Sequence, residues 1–234
     1  MKGPQAAGGR TCVLEGNAGC GAALRRMRVA LTAAVLCVVG NCCAMIPAYG
    51  SCSAPKNAIE AENCLPGNPS SEWYVEGAGA TTIQGFATDM SVDAGQTISF
   101  KVATDAAAYR IDIYRLGYYQ GNGARLVTSI SPSAALPQAQ PACLQDSSAG
   151  LTDCGNWGVS ASWAVPAAAV SGVYLARLVR LDTGEASPII FVVRNDASRS
   201  DILAQTCDPT WEAYNDYGGS SLYTGPTIRA FKVS

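Results

Sequence analysis

Between residues 81 and 195 the chain is written in short runs whose side chains alternate apolar and polar, each closed by Gly, Pro, Asn or Asp. A period of two sends successive side chains to opposite faces of an extended chain, so this stretch is committed to sheet. "TTIQGFATDMSV" (81–92) reads as a strand pair with an internal Gly85. "GQTISFKVAT" (95–104) sets Ile98, Phe100 and Val102 against Ser99, Lys101 and Ala103. "YRIDIYRLGYY" (109–119) sets Tyr109, Ile111 and Ile113 against Arg110, Asp112 and Tyr114. A short "RLVTSI" (125–130) follows, and "NWGVSASWAV" (156–165) puts Trp157, Val159, Ala161 and Trp163 on one face. "SGVYLARLVR" (171–180) divides Val173, Leu175 and Arg177 from Tyr174, Ala176 and Leu178, and "SPIIFVVRN" (187–195) is a dense β-branched run. Strands about every ten residues, with no amphipathic helix between 70 and 200, predict a β-sandwich over residues 51–195. Trp157 and Trp163 are expected in its core, and Arg115, Arg177 and Arg180 on solvated faces. "SPSAALPQAQPA" (131–142) reads as an exposed loop.

The N-terminus has another logic. Arg25, Arg26 and Arg28 precede the apolar run 29–40, and small residues follow up to Gly50. A basic stretch, an apolar core of about 7–15 residues and a small-residue site form an export leader, so residues 1–50 are expected to be a signal peptide, with a start at Met27 as a variant. The chain has 16 Lys+Arg and 18 Asp+Glu; five of the former and one of the latter precede residue 51, which leaves 11 and 17 and a net charge of −6. The expected product is acidic, secreted or periplasmic, with no further segment suited to a membrane. No basic cluster follows residue 28, so no nucleic-acid partner is expected.

Beyond the leader lie Cys52, Cys64, Cys143, Cys154 and Cys207. In an oxidising compartment such cysteines pair. Cys143 and Cys154 flank the polar loop "LQDSSAGLTD", and Cys52 and Cys64 bracket the start of the mature chain, so these two pairs are expected, with Cys207 left over. Zinc is disfavoured because the chain has neither a C-x-x-C nor a histidine. The lack of histidine also excludes Ser-His-Asp and Cys-His catalysis within this chain alone.

After the polar linker 195–201, "DILAQTCD" (201–208) reads as a buried strand that opens a new unit, and "TWEAYNDYGGSSLYTG" (210–225) crowds three tyrosines, a tryptophan and three glycines behind it. A strand followed by such a loop is how an α/β unit carries a site. Tyr214, Tyr217 and Tyr223 are hard oxygen donors of the kind that suits iron. Gly218 and Gly219 allow close backbone approach or positive φ, Asn215 and Asp216 could orient a substrate amide or water, and Asp208 and Glu212 flank the loop. The plainer reading makes the aromatics the core of a turn with Gly-Gly as turn chemistry. A second Tyr/Gly cluster, "YRLGYYQGNGAR" (114–125), reads as a hairpin-like turn or, alternatively, as a binding patch at Tyr118 and Tyr119.

Taken in order, "IEAENCLPGNPSSEW", "IQGFATDMSVDAGQTISFKV", "YRIDIYRLGYYQGNGAR", "DCGNWGVSASWAVP", "SGVYLARLVR", "IIFVVRND" and "TWEAYNDYGGSSLY" resemble the N-terminal part of the N,N-dimethylformamidase large (beta) subunit and its secreted relatives, over roughly residues 57 to 234. The resemblance implies a mainly β chain: an immunoglobulin-like β-sandwich followed by the truncated start of an α/β, glutamine amidotransferase-like domain at 201–234. It implies amide hydrolysis at iron held by two tyrosines and one glutamate, with Tyr214 as one ligand and Tyr223 as the fallback. It also implies that the catalytic residues lie elsewhere, on a missing C-terminal region or a partner subunit, and that this chain is inactive alone. The alternative is a non-catalytic secreted binding module.

Overall fold

The computed structural model describes residues 52–226 and 228–233. The leader assigned to residues 1–50 lies outside the described residues. Within them no helix is long and apolar enough to cross a membrane.

The chain is mainly β, as its periodicity requires. Among the described residues the strands are β1 (Ile83–Ala87), β2 (Ser91–Asp93), β3 (Thr97–Thr104), β4 (Tyr109–Leu116), β5 (Ala124–Ile130), β6 (Leu144–Asp146), β7 (Leu151–Asp153), β8 (Ala161–Ala164), β9 (Gly172–Arg180) and β10 (Ala186–Arg194). They form one sheet in the order β1-β3-β8, a second in the order β2-β10-β9-β4-β5, and the separate hairpin β6-β7. "TTIQGFATDMSV" does yield two strands, but they do not pair with each other. β1 runs antiparallel to β3, whereas β2 crosses to the other sheet and runs parallel to β10.

One apolar core joins the two larger sheets. Ile98, Phe100 and Val102 of β3 and Ala161 and Trp163 of β8 share it with Tyr109, Ile111 and Ile113 of β4, Tyr174, Ala176 and Leu178 of β9, and Ile189, Phe191 and Val193 of β10. The aromatic rings bridge the layers. Phe100 meets Phe191 edge-on at 5.8 Å and Trp163 meets Phe191 at 6.1 Å, geometries that add to the stabilisation from area burial. Gly184, with φ +77°, closes the β9–β10 hairpin, where Gly184 N–H donates to the Arg180 carbonyl at 3.2 Å. A residue with a Cβ is strained at that angle.

Short helices flank the sheets: α1 (Ala58–Asn63), α2 (Ser70–Trp73) and α3 (Asp208–Tyr214). Asn57 caps α1 by accepting from Glu60 N–H at 2.9 Å, and the Cys52–Cys64 disulfide ties the segment before α1 to its C-terminal end. The N-terminal segment then crosses the outer face of the five-stranded sheet, where Trp73 packs on the buried cluster Tyr114, Ala124 and Leu175. Trp73 Nε1 donates to the carbonyls of Asn68 (3.1 Å) and Asn122 (3.2 Å), which fixes this strap to the β4–β5 turn.

Four expectations are corrected. Trp163 is in the core between the sheets, whereas Trp157 is buried apart from that cluster, packs on Phe86 and donates from Nε1 to the Pro141 carbonyl at 3.1 Å. Val159, in phase with Trp157, is exposed, because β8 begins only at Ala161 and the preceding residues form a loop. Arg115 and Arg180 are buried rather than solvated. Arg115 donates to the Val170 and Ser171 carbonyls and to the Tyr119 hydroxyl, and Arg180 bonds Asp105, Asp182 and the Thr82 carbonyl. Finally, "DILAQTCD" is not a buried strand. Residues 202–207 carry no regular structure, and Ile202 and Leu203 are 84% and 91% exposed. An apolar run becomes a strand only where a neighbour takes its backbone hydrogen bonds, and among the described residues no strand pairs with these.

Candidate functional site

The C-terminal aromatic segment folds back on itself. Helix α3 begins at Asp208 with Pro209 in its first turn, where a missing N–H costs nothing. It stops at Asn215, whose backbone is extended. Asn215 Oδ1 then accepts from Tyr217 N–H at 3.1 Å, an Asx turn that starts the reversal. Gly218 and Gly219 follow at φ +85° and +97°, with Gly219 N–H donating to the Asp216 carbonyl at 2.7 Å. The returning chain is pinned by Leu222 N–H to the Ala213 carbonyl at 3.1 Å and by buried Ser221, whose Oγ accepts from Tyr223 and Thr224 N–H.

This reversal stacks Tyr223 on Tyr214, ring centroids 4.5 Å apart and planes 28° apart. The two alternative ligand positions are therefore neighbours, and both rings are exposed. Tyr217 points elsewhere and meets Trp157 edge-on at 6.3 Å. Asp208 and Glu212, one turn apart on α3, each hold one solvent-shielded carboxylate oxygen (Oδ1 and Oε2) with no hydrogen-bond partner.

The two glycines have different work. A Cβ at Gly218 would stand 2.1 Å from Thr152 Oγ1, whereas at Gly219 it would meet open space. Gly218 thus serves a close approach to this chain's own β6–β7 hairpin. Phe231 N–H donates to the Ala149 carbonyl at 2.7 Å, and Gly150 faces Ala230 too closely to carry a Cβ. The Cys143–Cys154 disulfide closes the base of that hairpin, as expected. The cleft between hairpin and tail encloses about 10 Å³ beside Asn215 and Tyr217, room for no more than one water. Cys207 is free and exposed. Among the described residues no group of three or more His, Cys, Asp or Glu side chains gathers as a metal site.

The second Tyr/Gly cluster divides its tyrosines. Tyr118 is exposed, whereas Tyr119 is fully buried and unavailable to a partner. Its hydroxyl donates to Glu62 Oε1 at 2.8 Å and accepts from Arg115 Nη1 at 3.0 Å, while Arg125 Nη2 donates to the same Glu62 oxygen at 2.6 Å. Burial, ahead of any charge, raises the Tyr119 phenol above its ordinary range. Tyr119 and Gln120 hold φ of +39° and +58°, conformations costly for residues with a Cβ. The network fastens α1 to this turn and holds it there. Nothing in the sequence marks Glu62 as the partner of a tyrosine 57 residues away.

On the outer face of the five-stranded sheet the α2 strap roofs a cleft of about 320 Å³ lined by charged side chains that include Arg110, Asp112 and Arg177. Tyr114, at its base, is raised above its usual range by burial and, second, by the Asp112 carboxylate.

The fold and this tail define a mainly β protein that carries a compact aromatic segment beyond its last strand, after an irregular linker. The model of a family described as N,N-dimethylformamidase beta subunit-like, C-terminal, matches residues 110–233. That match spans more than half of the chain, and the chain belongs to this family. It runs from β4 through the tyrosine segment, so it covers both the sheets and the tail. No curated protein matches the chain. Among solved structures, trypsin-activated alpha-2-macroglobulin from Escherichia coli is similar over 55% of this chain and 8% of its own, at 14% identity and a TM-score of 0.29.

Proposed function

We propose that this chain is an exported, N,N-dimethylformamidase-like amide hydrolase component: an immunoglobulin-like sandwich that presents the first loop of a site completed by another surface. The strand order supports the sandwich. The chain's first edge divides between sheets, so that β2 lies parallel to β10 while β1 joins β3 and β8, an arrangement compatible with immunoglobulin-like connections. Two disulfides fit an oxidising compartment, secreted or periplasmic. The family match supports amide-bond chemistry as the general kind of reaction.

The observation that carries the reading is the stacked, exposed pair Tyr214 and Tyr223. A phenol oxygen is a hard donor of the kind that fits iron, and the carboxylate ligand would come from the second surface. Tyr214, with Tyr223 as the alternative, would hold the iron, and the ion would supply Lewis acidity toward an amide carbonyl. Asn215 and Gly218 are engaged in shaping the loop, and Gly219 stands open to a ligand. The large apolar side chains of Ile202, Leu203, Trp211, Tyr214 and Tyr223 are all exposed, which supports a second surface, a further catalytic region or a partner subunit, as the cover.

Two assays test this. The purified chain, supplied with ferrous or ferric iron, is expected to leave dimethylformamide intact, and clear turnover would overturn the need for a second surface. Titration with ferric iron is expected to give a tyrosinate-to-iron absorption band that Tyr214→Phe removes. A band that survives in both Tyr214→Phe and Tyr223→Phe rules out this segment as the iron ligand.

A further inference from the structure

The cleft under the α2 strap contains a cation that the fold leaves uncommitted. Arg177 on β9 stands directly across from Asp112 on β4, the position from which an opposite charge would ordinarily answer it. Asp112 is already taken. Arg110 Nε donates to both of its oxygens, at 3.0 and 2.9 Å, and Ser129 Oγ donates to Oδ1 at 2.6 Å. On the strap, Glu72 Oε2 accepts from Asn68 Nδ2 at 2.8 Å. Among the described residues Arg177 forms no ion pair within 4.0 Å, and its Nε is shielded from solvent without any hydrogen-bond partner. A desolvated donor left unpaired costs about 1–3 kcal/mol, more when charged, and such groups in native proteins call for a missing ligand, ion or water.

The surroundings suit a ligand. The cleft has a volume of about 320 Å³, within the range of small-molecule sites. Its roof is fixed: Tyr114 OH donates to the Glu72 carbonyl at 3.2 Å, and Trp73 is held at both sides of its indole N–H. Its wall adds a second guanidinium, Arg110, which holds Asp112 through Nε and whose side chain is 45% exposed. A guanidinium fork matches the two oxygens of a carboxylate or phosphate.

We propose that this cleft is a binding site for a small oxyanion, carboxylate or phosphate, with the Arg177 guanidinium as its anchor and Arg110 as the second positive wall. The site is built by β4, β5, β9 and the strap, and it is independent of the tyrosine segment.

The test follows the Arg177 Nε–Hε resonance by nitrogen-15 NMR while sodium acetate or inorganic phosphate is added at constant ionic strength. A saturable shift with either probe is expected, and the probe that saturates at lower concentration assigns the class. Arg177→Gln should weaken that binding about tenfold or more, the loss of one charge-assisted contact, as read by calorimetry. Arg199→Gln, at an exposed position of the linker, should leave it unchanged. Arg177→Lys keeps the charge but loses the fork; it is expected to bind with intermediate affinity, and it serves alone if Arg177→Gln fails to fold. No saturable shift with either probe, or equal affinity in wild type and Arg177→Lys, would overturn the proposal.

Discussion

Phe100, Phe191 and Tyr174 in the paired sheets are 0%, 0% and 1% exposed, whereas Trp211, Tyr214 and Tyr223 in the C-terminal segment are 42%, 63% and 60% exposed. The residue types are alike, and what differs is the partner supplied by the rest of the chain. Each sheet offers the other an apolar face, so their rings interlock. The tail has a seven-residue helix and a turn, and it leans on a hairpin that spends its own backbone on closing itself. Burial of an aromatic side chain contributes about 1.5–3 kcal/mol. The sheets collect that contribution many times over, and the tail collects almost none of it. The lesson is that an aromatic segment without a facing layer is a surface, here one built to exacting turn geometry.

The first way to break this comparison is truncation on each side of it. Phe191→Ala should cost about 3–5 kcal/mol in denaturant unfolding, while Tyr223→Ala should cost less than about 1 kcal/mol. Similar losses would show that the tail is part of the same core. Removing the Cys143–Cys154 bridge by double Ser substitution should cost about 3 kcal/mol from loop entropy, and limited proteolysis should then cut first within 217–231. Glu62→Ala strands the Tyr119 hydroxyl and a half-buried Arg125, so about 1–3 kcal/mol should be lost, with faster amide exchange confined to α1 and the 117–123 turn.

Acid and alkali sharpen the contrast further. The Arg180 guanidinium holds the Asp182 carboxyl down at about 2. A depressed carboxyl stabilises the fold above its unfolded value, so that contribution should be fully present at neutral pH and fade as pH falls from near 4 toward 2. Burial pushes the Tyr174 phenol up to about 12. Its contribution is complete below pH 10 and lost as pH rises toward 12, so melting temperature should fall across that window and fall less steeply in Tyr174→Phe. Leu203→Ala, at a side chain 91% exposed, should be the smallest effect, within about 0.5 kcal/mol.

The sequence made some of this legible and hid the rest for physical reasons. The strands at 97–104, 109–116, 172–180 and 186–194 follow from alternation, because a sheet with one buried face imprints period two. Both disulfides follow from spacing, because short loops close easily. The outer face of β4 and β9 was not legible: Arg177 reads as solvated, and only the strap of residues 68–73, which carries no periodic signal, turns that face into a cleft. Trp157 follows the phase of β8 without belonging to the strand. "DILAQTCD" has the composition of a buried strand, yet composition states a capacity to pair and not the presence of a partner. In the tail, the signal of tyrosines and glycines located the segment, but only the Asx turn at Asn215 and the glycine pair bring Tyr214 and Tyr223 together.

Amide hydrogen exchange by mass spectrometry on the intact chain tests the contrast most directly. The account predicts deep protection of β4, β9 and β10 and exchange near the rate of free peptide over 202–207, with intermediate protection in α3 and the tyrosine loop. Protection of 202–225 equal to that of β9 would contradict it, because the tail would then be a buried layer of the same body rather than an exposed surface.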